Sequence, residues 1–179
     1  MIGKLKYIQA YDKVVYYSIT LFDEENNLIS TNGSMFEDFI KKHEVQNYQE
    51  LDYVLNWIRY IGDNKGALPH YFRFENRASG LPPNAKTAVN ENVSFVDVDS
   101  RDLNNLSLRL YCLRLNEHVV ILFNGDIKTT KKAQDCPNVG GHFKLANRLS
   151  ECIDKAIVQR DIDFLEDDIA YDDNLELTI

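Results

Sequence analysis

Residues 107–132, SLRLYCLRLNEHVVILFNGDIKTTKK, contain two apolar stretches divided only by Asn116-Glu117. A gap that short turns the second stretch back along the first, so residues 107–115 and 118–124 are expected to form an antiparallel hairpin. Strand side chains alternate, which points Arg109 and Tyr111 to one face. Lys128, Lys131 and Lys132 follow the second strand and can reach the same side. An arginine within an apolar strand, facing a lysine cluster, suggests an anion site. The competing reading of the same residues is an arginine snorkelling at a sheet rim beside a solvated loop.

The rest of the chain supplies helices and further strands. Val14 to Phe22 is β-branched and aromatic and reads as a strand, with Leu5 to Ala10 as its neighbour. Ser34-Met-Phe-Glu37 has capping-box spacing and opens a short helix to about Glu44. Asn47 opens a second helix, whose apolar Leu51, Val54, Leu55, Ile58 and Ile61 recur at helical spacing, with Gly62 as its expected stop. Tyr71 to Phe74 reads as a short strand. Ala78 to Asn92, with Gly80, Pro82 and Pro83, reads as an exposed loop, and Asn124-Gly125 as a turn. Val93 to Val98 reads as a strand. Asp97 and Asp99 on it share a face, which is either an acid pair or the solvent side of an edge strand. Ala146, Leu149, Ile153, Ala156 and Ile157 define a third helix. The order predicts an α+β fold, an antiparallel sheet packed against two N-terminal helices and a C-terminal one.

The chain carries 20 Lys and Arg against 28 Asp and Glu, but the excess is local. Residues 161–179 hold eight acids and no base, which leaves 20 acids and 20 bases in residues 1–160. The expected division is therefore a single domain over 1–160 and an acidic tail over 161–179. The tail alternates its acids with Ile162, Phe164, Leu165, Ile169, Tyr171 and Leu175. Such anchors suit docking on the chain's own basic face, docking on a partner, or extension of the third helix. No apolar run approaches membrane-span length and the N-terminus lacks a signal-peptide core, so a cytoplasmic protein is expected. Cys112, Cys136 and Cys152 form no C-x-x-C, and neither a metal site nor a cofactor is expected. Cys136, before Pro137, is the cysteine expected to be exposed.

The element order over residues 14–160, and above all Leu108-Arg109-Leu110-Tyr111, Val119-Val120-Ile121-Leu122-Phe123 and Gly125-Asp126-Ile127-Lys128, resembles the RelE/HigB superfamily of bacterial toxins, in its phage-associated HigB-like branch. The helix with Ala146 and Arg148 is similar to that family's closing helix. Asp126 stands where the family has an apolar aromatic, and Thr129 where it has a second lysine. An earlier strand arginine has Arg101 as its rough counterpart; the tyrosine or histidine that some members use near the C-terminal end has no equivalent, His142 just before the closing helix being the nearest candidate. The resemblance implies a RelE-like fold and a type II toxin that cleaves mRNA on the ribosome, held by an antitoxin. The alternative it implies is a RelE-like protein-binding module of a mobile element that has lost catalysis. For cleavage, attack of a 2′-hydroxyl on phosphorus needs cationic donors and a proton carrier. Arg109, Lys128 and Tyr111 take the catalytic roles, with Arg109 expected at the surface. Lys131, Lys132 and Arg101 hold the RNA. The competing role for Tyr111, and the one its residue type favours, is packing one sheet face against a helix.

Overall fold

The computed structural model describes residues 1–93 and 105–179. β1 (Ile2–Ala10) and β2 (Val15–Phe22) come first, then α1 (Met35–His43) and α2 (Tyr48–Tyr60). β3 (Arg73–Glu75), β4 (Ala78–Leu81) and α3 (Ala85–Glu91) precede β5 (Leu108–Arg114) and β6 (Val119–Ile127). α4 (Gly140–Gln159) leads to β7 (Ile162–Phe164), β8 (Ile169–Tyr171) and β9 (Leu177–Thr178). Seven strands form one sheet in the order β3-β4-β5-β6-β2-β1-β9, and β7 and β8 pair separately. The fold is α+β, a sheet packed against several helices. The strand expected at 93–98, apart from Val93, lies outside the described residues, as do Asp97, Asp99 and Arg101.

The sheet is mixed where an antiparallel one was expected. Short connections do make β1–β2 and β5–β6 antiparallel. β2 and β6, however, run parallel from Val15↔Val119 to Ser18↔Leu122. These strands are far apart in the chain, so no turn dictates their relative sense. β6 suits a parallel pairing because its apolar run, Val119 to Phe123, is fully buried and the sheet is covered on both faces.

Alternation sorts the strand side chains between two cores. Tyr17, Ile19, Tyr111, Ile121 and Phe123 pack with Ala146, Leu149 and Ile153 of α4. Tyr16, Leu108, Leu110, Val120 and Leu122 pack with Phe39 of α1 and with Val54, Trp57 and Ile58 of α2. Each such side chain contributes about 1.5–3 kcal/mol when fully buried, so the sheet is the shared wall of both layers.

Ser34 caps α1 as its position predicts, its hydroxyl accepting the Glu37 N–H at 3.3 Å. Glu37 turns to Lys6 at 2.6 Å instead of closing the box. Asn47 does not cap α2; its carboxamide oxygen lies 3.0 Å from His43 Nδ1. α2 also runs past Gly62 through a π-helical turn, Ile61–Lys65, and stops at Gly66 with φ of 83°. Gly62 serves a close approach, since a Cβ there would fall 2.7 Å from the Tyr11 ring.

Ala78 to Asn92 is the largest departure from expectation. Instead of an exposed loop it forms β4, hydrogen-bonded to both β3 and β5, and α3, capped by Asn84 accepting from the Thr87 N–H at 3.0 Å. Ala78 and Leu81 are fully buried. Small residues fit between two strands there without carrying a strand signal. Gly125 is likewise no turn residue. It lies within β6 opposite Leu110, and a Cβ would sit 1.7 Å from the Arg109 carbonyl oxygen.

The acidic tail folds back. Arg160 ends α4 in the left-handed region, with φ of 64°, so the helix does not continue. β9 pairs with β1 through Gly3↔Leu177, and Ile162, Ile169 and Leu177 enter the α4-side core. The acids follow these anchors: Glu176 meets Lys4 at 3.0 Å, and Asp168 accepts from the Tyr17 hydroxyl at 2.7 Å. Among the described residues, no ion pair joins the tail to Lys128, Lys131 or Lys132.

Candidate nucleic-acid interface

β6 carries the chain to Lys128, whose N–H still donates to Ser107 O at 2.8 Å and so extends the strand pairing by one bond. The loop that follows is tied down from within. Asn138 Nδ2 donates to Ile127 O at 3.2 Å, and the Thr129 N–H points at Cys136 Sγ at 3.4 Å. Cys136 is buried as the anchor of this loop, where exposure was expected. Burial disfavours its thiolate, but the Thr129 hydroxyl and amide with the Val139 and Asn138 amides outweigh that and bring the thiol down to about 6.

With the backbone pinned, the lysine heads point outward. Lys128, Lys131 and Lys132 line an open hollow of about 340 Å³, with Glu75, Phe74 and Phe143 among its other walls. Lys131 and Lys132 are exposed, and among the described residues none of the three forms an ion pair. Phe74, from the edge strand β3, is 89% exposed. A flat, exposed ring thus stands beside ammonium groups that have no acidic partner among the described residues. Glu75 reduces the net charge of the hollow.

Arg109 and Tyr111 share a face, as their spacing requires, but both are buried there. Arg109 is 9% exposed rather than at the surface, and its Nη1 donates to Leu106 O at 3.0 Å and Leu108 O at 2.8 Å. Burial, then the nearby Arg73, pull the guanidinium down to about 10, while Glu75 and Glu50 oppose them. Tyr111 is fully buried with an edge-on contact to Phe143 at 6.0 Å, and among the described residues its hydroxyl has no hydrogen-bond partner. Burial, then Glu75, raise its phenol above the ordinary value. The structure thus brings the lysines together at an opening and keeps the arginine and tyrosine beneath it.

A second group of ionisable residues adjoins the hollow. Asp126, two residues before Lys128, accepts from Lys42 Nζ at 2.6 Å and lies 3.7 Å from His43 Nε2. Burial raises its carboxyl, but the Lys42 bond and the Ile127 amide outweigh this and hold it below the usual range. His142, one residue before Phe143, is depressed by burial and by Lys42, against the pull of Asp126. The ends of α1 and β6 and the start of α4 therefore converge on Asp126. No local spacing in the sequence links His43 to Asp126. Among the described residues, no group of His, Cys, Asp and Glu has the arrangement of a metal site, and no helix is long and apolar enough to cross a membrane.

Comparison of the chain with protein-family models, with curated proteins and with solved structures finds no match.

Proposed function

We propose that the protein binds single-stranded RNA in the lysine hollow, as a RelE/HigB-like module that does not cleave what it holds. The observation that carries this reading is the set of three lysines without acidic partners among the described residues, beside an exposed Phe74. Lysines neutralise phosphates and release counterions, and an aromatic face stacks bases of any identity. Stabilising a phosphorane asks more, namely a guanidinium that reaches the phosphate oxygens. Arg109 is buried and has donated its Nη1 to two backbone carbonyls. Arg109 and Tyr111 act in this reading as supports of the hollow.

The toxin reading stands second, on one observation. His43, His142 and Asp126 gather where β6 enters the hollow, and two imidazoles can move protons for 2′-hydroxyl attack and 5′-oxygen departure. In that case mRNA on the ribosome is the substrate, and a separate antitoxin holds the protein in check.

The test is RNA binding followed by fluorescence anisotropy, together with mapping of RNA 5′ ends after induced expression. Salt-sensitive binding without new 5′ ends supports the module. New ends that disappear in His142→Ala transfer the assignment to the toxin. Absence of RNA binding at about 50 mM salt, where phosphate contacts are strong, overturns both.

A further inference from the structure

The layer opposite the hollow has its own cavity, of about 380 Å³, between the end of β1, α1 and α2. Its floor is formed by Tyr16, Phe36, Ile58 and Leu122, each fully or almost fully buried. The Tyr16 hydroxyl on that floor already donates to Ile58 O at 2.9 Å, so the floor presents no free hydrogen-bonding group to water. The wall is built rigid: Tyr11 meets Tyr16 edge-on at 5.8 Å and rests against Gly62, where a Cβ would fall 2.7 Å from its ring. A preformed cavity of this size with an apolar floor takes a small molecule with a ring or branched body.

The mouth selects the head group. Asp52, Asn56 and Arg59 stand along one side of α2 and all line the cavity. Asn56 Nδ2 donates to Asp52 at 3.0 Å, which partly satisfies that carboxylate. Arg59, two turns from Asp52, has no carboxylate partner among the described residues. We infer that this cavity is a binding site for a small monocarboxylic acid, its apolar body on the Tyr16–Phe36 floor and its carboxylate on Arg59. The guanidinium fork matches a carboxylate in two hydrogen bonds. The site is separate from the lysine hollow and does not depend on RNA binding.

Phenylacetate is a suitable probe, with 2-phenylethanol as its neutral counterpart and phenethylammonium as its cationic one. Each is titrated into the full-length protein and followed by NMR. Saturable phenylacetate binding is expected, with intermolecular NOEs to the Tyr11 and Phe36 rings. Arg59→Gln, a surface change, should weaken phenylacetate by about 5-fold or more and leave 2-phenylethanol within about twofold. Leu55→Trp, which adds bulk to the cavity wall, should abolish both. Phenylacetate binding unchanged in Arg59→Gln, tighter binding of phenethylammonium, or no saturable binding to the wild type overturns the assignment.

Discussion

The chain has two strongly charged stretches, the lysine loop after β6 and the acidic tail after α4, and the fold holds them in opposite ways. The tail alternates acids with apolar residues, and its anchors decide where it goes. Ile162, Ile169 and Leu177 enter the core, β9 adds to the edge of β1, and Glu176 and Asp168 find partners on β1 and β2. The loop is anchored through its backbone and Cys136, and among the described residues its lysine side chains form no ion pair. Charge that accompanies apolar anchors becomes part of the architecture. Charge on a loop secured by other means stays at the surface.

The largest expected effect tests the tail. Truncation after Arg160 removes three core side chains worth about 1.5–3 kcal/mol each, a large share of an ordinary domain's 5–15 kcal/mol. The truncated chain should be unfolded, or should melt far below the full-length protein. A truncated protein with the wild-type urea midpoint would make the tail a mere appendage and dissolve the contrast with the loop.

Gly125→Ala comes next. The added methyl has no room beside the Arg109 carbonyl, so β5 and β6 must separate or re-register, at a cost of about 3 kcal/mol. A loss below about 0.5 kcal/mol would show that the strand pair relaxes freely and does not rigidly set the start of the loop.

Arg109 and the lysines sharpen the comparison within one segment. Arg109→Ala strips a donor from two carbonyls and should cost about 1–3 kcal/mol, with RNA affinity preserved under conditions where the variant is folded. Replacing Lys128, Lys131 and Lys132 by Ala should leave stability within about 0.5 kcal/mol. It should also reduce the slope of log affinity against log salt by roughly 2, if each lysine meets one phosphate of a single strand. Chemical denaturation and anisotropy titrations on both variants separate these outcomes. An Arg109→Ala protein that is stable but blind to RNA would restore the arginine to the binding site.

Local pattern made much of this fold legible. The β5–β6 hairpin follows from its two-residue divide, α2 and α4 from their apolar spacing, and the α1 cap from Ser34 alone. What escaped depends on residues distant in sequence. The parallel β2–β6 pairing has no turn to announce it, and β4 is written in small residues whose burial its neighbours determine. The same holds at the site. The lysines lie close together in the chain and could be grouped by reading, whereas Phe74 and Glu75 arrive from β3. Arg109 and Tyr111 could be placed on one face, but that both are buried there is a tertiary fact. His43 meets Asp126 only because α1 packs beside the end of β6.

The smallest effect concerns how the lysine loop is held. Cys136 accepts from the Thr129 and α4-end amides, and in the folded protein its thiol is lowered from 9.0 to about 6. A group whose folded pKa is depressed adds stability that is full above its unfolded pKa and is lost as pH falls through the folded one. Wild-type stability relative to Cys136→Ser should therefore rise from pH 6 to pH 9, because serine accepts the same bonds without ionising in that range. Urea midpoints of both proteins at the two ends of that window decide the matter. Parallel profiles would mean that the buried sulfur remains a neutral thiol and that its ionisation takes no part in holding the loop.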